Sequence, residues 1–70
     1  MGKVAKTRVL QGRDIRAERC RHRLTQVQLA AKLETYMGTL VSIEREHVQL
    51  SQEEYRRILD AIDELAGSPR

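Results

Sequence analysis

Cys20, His22 and His47 are the only thiol and imidazole groups in this 70-residue chain. Together they could meet at a metal ion. Zinc sites take closely paired ligands, usually four of them, and one Cys-x-His followed far downstream by a single histidine matches no such spacing. We read the three as a surface thiol and two surface imidazoles. Nucleophilic catalysis lacks its parts as well. There is no nucleophile–base–carboxylate set and no glycine-rich loop to cradle a phosphate. The acidic residues Asp60, Asp63 and Glu64 read as a solvated helix face. The sequence therefore points away from an enzyme, a bound cofactor or a small-molecule substrate, and towards recognition of another molecule.

Charge says what kind of molecule. Residues 1–24 hold eight Lys and Arg against Asp14 and Glu18, a net +6, whereas residues 25–70 hold five against eight acids, a net −3. A basic half joined to an acidic half suits a polyanion on one side. Tyr36 and Tyr55 are the only aromatic residues, too few to stack unpaired bases, which leaves the double-stranded form. A chain of this length makes one small domain burying about 60% of its unfolded surface. No apolar run approaches the ~18 residues of a membrane span. The first residues lack the apolar stretch of a signal peptide, and one cysteine allows no internal disulfide, so a cytoplasmic location is expected.

These side chains need elements to carry them. Residues 1–12 read as a flexible basic arm with Lys3, Lys6 and Arg8 and no acid, closed by Gly12. A competing reading pairs Val4, Val9 and Leu10 as a short dimerising strand. A first helix is expected over 13–22. Thr25 then opens a second helix with a capping box, Thr25-Gln26-Val27-Gln28, and Leu24 and Leu29 stand at the spacing of a hydrophobic staple. That helix should end near Leu33 or Glu34. A third is expected from about Met37 to Ile43 or Glu44, with Leu40 and Ile43 inward and Thr35 chemically a better N-cap than Tyr36. Ser51-Gln52-Glu53-Glu54 repeats the capping box. Tyr55, Ile58, Leu59, Ile62 and Leu65 follow at amphipathic spacing, closed by Gly67 with Pro69 beyond. The fold class is all-α, a compact bundle of about four helices over 13–67, with an N-terminal arm and a tail at 68–70.

One run of residues is more specific. Leu24-Thr25-Gln26, two residues, Leu29-Ala30, two residues, Leu33, then six residues and Leu40-x-x-Ile43-Glu44-Arg45 resembles the Cro and phage-repressor family of helix-turn-helix proteins. The match runs without a gap across residues 15–46, and Ile15-Arg16-x-x-Arg19 resembles that family's first helix. The resemblance implies a lambda-repressor-like bundle that binds double-stranded DNA as a homodimer and regulates transcription, most often as a repressor. It makes Gln26 a phosphate contact. It puts Tyr36, Met37, Gly38, Val41 and Ser42 on the face of the recognition helix, with Thr39 beside them. It makes Arg19 and Glu44 a structural pair. Lys3, Lys6, Arg8, Arg13 and Arg45 complete the set expected to face DNA, the arm reaching backbone or minor groove.

The chain also departs from the family pattern. Arg23, Glu34 and Glu46 stand where that family often has glycine, so these backbones are expected to need positive φ or a different turn. Met37 and Gly38 replace polar side chains that read base edges, which shifts reading to Ser42, Tyr36, apolar contact and DNA shape. The same departures favour the alternative, a protein-interaction module such as an antitoxin or adaptor.

Overall fold

The computed structural model describes residues 9–67. They form four helices and, among the described residues, no strand: α1 (Gly12–Arg21), α2 (Gln26–Lys32), α3 (Met37–Glu44) and α4 (Gln52–Ala66). No helix among these residues is long and apolar enough to cross a membrane. The all-α expectation holds. Both α1 and α2 pack against α3 and α4, so α4 closes the bundle from one side.

Three of the four helices, α1, α2 and α4, begin where a side chain takes up a free amide. Thr25 accepts from the Gln28 amide and Gln28 returns the bond to Thr25, at 3.0 and 2.8 Å. Ser51 and Glu54 do the same at the start of α4. At α1 the Gln11 amide donates to Asp14 Oδ2 at 2.8 Å, while the Asp14 amide donates to the Gln11 backbone carbonyl at 3.0 Å. Such caps hold about 1 kcal/mol each.

The helix ends are more unusual. After α1 the Arg23 amide donates to the Cys20 carbonyl and the Leu24 amide to the Arg19 carbonyl, both at 3.0 Å. After α2 Glu34 and Thr35 donate to Ala31 and Ala30, and after α3 Glu46 and His47 donate to Ile43 and Ser42. All three are Schellman motifs, which need one left-handed residue just past the helix. Here that residue is Arg23, Glu34 or Glu46, with φ of 60°, 57° and 65°. The first two motifs run straight into the N-caps Thr25 and Tyr36 of the next helix. His22-Arg23-Leu24-Thr25 and Leu33-Glu34-Thr35-Tyr36 are thus one four-residue corner used twice. The geometry also corrects the expected N-cap of α3. Thr35 is held by its bond to Ala30, so Tyr36 takes the position and supplies no capping side chain.

The core gathers Ile15 from α1, Leu29 and Ala30 from α2, Leu40 and Ile43 from α3, and Tyr55, Ile58, Ala61 and Ile62 from α4. Most of the α4 stripe is therefore spent in the core of the chain itself, with Leu59 and Leu65 half-buried at its edge. Folded structure also begins earlier than expected. Leu10 packs on the core, and the Gln52 side-chain amide bonds both its N–H and its carbonyl, at 2.6 and 2.9 Å. Residues 10–12 thus belong to the body rather than the arm, and Val9 and Leu10 form no strand. Lys3, Val4, Lys6 and Arg8 lie outside the described residues. Gly12, expected to separate arm from helix, is the buried first residue of α1. A Cβ there would collide with the Ile43 carbonyl, because the start of α1 crosses the end of α3 backbone to backbone.

Opposite effects are expected from two substitutions. Gly12→Ala should lower the thermal midpoint steeply, since the atom it meets is backbone and cannot swing aside. Glu34→Gly should raise it by about 4–8 °C, by relieving roughly 1 kcal/mol of left-handed strain. Melts followed by circular dichroism decide both.

Candidate functional site

Glu44 ends α3 with its side chain almost wholly buried. Its partner is Arg19, two turns along α1 and also buried. Arg19 Nε donates to Glu44 Oε2 at 2.7 Å and Arg19 Nη2 to Oε1 at 3.0 Å, a planar fork on both sides. The remaining nitrogen, Nη1, donates to the Leu24 carbonyl at 2.8 Å. Gln26 Nε2 donates to Glu44 Oε1 at 3.2 Å. The hydrogen bonds to Glu44 raise the Arg19 guanidinium above its ordinary value, outweighing the burial that would lower it. A raised folded value means that Arg19's own titration leaves this stabilisation intact below the unfolded arginine range and removes it as pH rises through the raised value.

Around this pair lies an open cleft of about 840 Å³, walled by Arg16, Cys20 and Arg23 on the α1 side, Gln26 at the head of α2, and Arg45 just past α3. Arg16, Arg23 and Arg45 are exposed, and none has a carboxylate partner among the described residues. Arg16, Arg19, Cys20 and Arg23 follow at i, i+3, i+4 and i+7, the spacing of one helix face. That spacing was visible in the sequence. The fold adds Arg16 and Arg23 to the expected Arg45 and Gln26, although the sequence did not put either in the set expected to face DNA.

The cleft meets α3 at its C-terminal end, through Glu44 and the C-cap Arg45. Leu40 and Ile43 turn into the core, which leaves Tyr36, Met37, Gly38 and Thr39 exposed and Val41 and Ser42 half-buried. Tyr36 is 83% exposed and Met37 48%, large values for such side chains. Gly38 has no atom within 4 Å of where a Cβ would stand, so packing does not demand glycine there. It costs about 1 kcal/mol of helix propensity against alanine.

Two expected residues sit differently. Gln26 is turned partly inward by its bond to Glu44. Arg13 lies outside the cleft, at the head of α1, where its Nε donates to Gln11 Oε1 at 2.7 Å and stands 3.6 Å from Glu46 Oε2. Glu46 also accepts from the Arg13 amide at 3.1 Å, which gives its left-handed backbone a compensating bond. Cys20, His22 and His47 do not gather: Cys20 is in the cleft wall, His22 faces Glu18, and His47 is exposed on the loop. No family model, curated protein or solved structure matches the chain.

Removing the carboxylate tests the pair. Glu44→Ala should cost about 3–5 kcal/mol in a denaturant titration, because it strands a buried guanidinium. Replacing both partners, Arg19→Met with Glu44→Leu, should recover much of that loss.

Proposed function

We propose that this chain is a sequence-specific double-stranded DNA-binding protein, a transcriptional regulator of the phage-repressor kind, with α2 and α3 as its helix-turn-helix. One observation carries the reading. Three guanidinium groups without carboxylate partners among the described residues line a cleft at the C-terminal end of α3, a helix whose outer face the core leaves open. A helix about 10–12 Å across fits a major groove about 12 Å wide. Cations to one side of it would then meet the phosphates, which fix position without reading sequence. The residues shared with the Cro and phage-repressor family support the same reading, as does the +6 charge of residues 1–24.

A single recognition helix buries too little for useful specificity, so the protein would act as a homodimer on half-sites about 34 Å apart. The α4 stripe leaves only Leu59 and Leu65 at its edge for such a contact. A repressor of this kind works in the cytoplasm. A second reading, a protein-interaction module, draws on the exposed Tyr36 and Met37, which suit an apolar partner surface.

Titration of a random-sequence duplex at about 50 and 200 mM salt separates the two. DNA binding through the cleft predicts log K falling against log salt with a slope of at least about −2.7, for three phosphate contacts. Arg45→Gln should reduce that slope by about 0.9. Weak binding that ignores both salt and this substitution would favour the protein partner.

A further inference from the structure

The outer face of α3 is chemically narrow. From Tyr36 to Ile43 the chain has no amide, carboxylate or cationic side chain. The polar atoms available are the hydroxyls of Tyr36, Thr39 and Ser42. Discriminating guanine or adenine by a paired contact takes a forked donor or amide, and cytosine is read by a carboxylate. None is present. What the face offers instead is apolar. Met37 and Val41 stand one turn apart on it, Met37 nearly half exposed, with Tyr36 projecting at its leading end. Gly38 adds no side chain between them and the groove, and the fold does not require its absence.

The floor of the major groove has one apolar feature, the C5-methyl group of a pyrimidine. We infer that α3 reads duplex DNA chiefly through C5-methyl groups, those of thymine and equally of 5-methylcytosine, received by Met37 and Val41. The inference rests on the DNA-binding reading above and adds the chemistry of recognition to it. Duplex DNA is the occupant favoured for this apolar face because Arg45 caps the C-terminal end of the same helix and shares a cleft there with Arg16 and Arg23, so a polyanion would be drawn to α3. An apolar protein surface would gain nothing from them. The thioether of methionine is flexible and polarizable, so it can follow a methyl group without a fixed hydrogen-bond geometry. The hydroxyls of Thr39 and Ser42 can meet either donors or acceptors and add little discrimination of their own.

The test uses the full chain and a duplex selected by it from a random-sequence pool. That duplex is then made with deoxyuridine in place of thymidine, one position at a time, which removes the methyl and leaves every hydrogen-bonding group. Removing a contacted methyl should weaken binding about fourfold, the equivalent of one buried methyl-sized group. Met37→Ala should show a similar loss on the thymine duplex and little further loss on the deoxyuridine duplex. Its exposed position leaves the fold intact, which an unchanged melt verifies. At a contacted position, 5-methylcytosine paired with guanine should bind more tightly than cytosine by a similar factor. Deoxyuridine duplexes bound within twofold of the thymine duplex would overturn the inference while leaving DNA binding standing, and so would a pool that binds without enriching any sequence. Absence of duplex binding at low salt would overturn both.

Discussion

Four segments of the chain meet at the Arg19–Glu44 pair. The fork of Arg19 comes from α1, the Leu24 carbonyl it also holds comes from the first corner, Gln26 comes from α2, and Glu44 itself ends α3. Isolated helices of seven to ten residues, the lengths of α1, α2 and α3, are marginal in water. Their mutual angles are therefore set by what joins them. Apolar contact among Ile15, Leu29, Leu40 and Ile43 brings the helices together without much direction. A planar, two-sided ion pair with little water around it has direction. It fixes where the end of α3 stands relative to the head of α2. A buried pair is not in general more stabilising than an apolar substitute, so orientation is the better account of this one.

The corners supply the rest of that orientation, and they do so at a cost. Arg23, Glu34 and Glu46 each hold a left-handed backbone that glycine would adopt freely. Each left-handed non-glycine residue costs roughly 1–2 kcal/mol, a noticeable sum for a small domain whose whole stability is about 5–15 kcal/mol. Among the described residues, a compensating side-chain bond is evident only at Glu46, to the amide of Arg13. At Arg23 the side chain joins the wall of the charged cleft, so strain there coincides with a position the proposed function uses.

Much of this architecture is legible in the sequence because it is local. Thr25 with Gln28 and Ser51 with Glu54 announce two helix starts within four residues each, and the leucine and isoleucine spacing names the inward faces. The helix ends are less legible. Nothing in the residue types Arg, Glu and Glu signals a left-handed turn; only comparison with a glycine-bearing family pattern raised it. Non-local packing was hidden altogether. The need for glycine at position 12 arises from an α3 carbonyl some thirty residues away, and the docking of Leu10 arises from Gln52 on α4. In the cleft, the i, i+3, i+7 spacing of Arg16, Arg19 and Arg23 was available. Without the fold, though, nothing distinguished the buried member from the two that stay free.

In the proposed function, the arginines without a carboxylate partner among the described residues act together with the open face of α3, in contrast to the acidic surface of α4. The central claim is that these groups meet duplex DNA, and amide chemical shifts map the contact most directly. Adding a short duplex to the isotope-labelled chain at low salt should move the amides of residues 36–42 and those near Arg16, Arg23, Gln26 and Arg45, and leave the exposed side of α4 still. Shifts confined to α4, or none anywhere, would contradict the account.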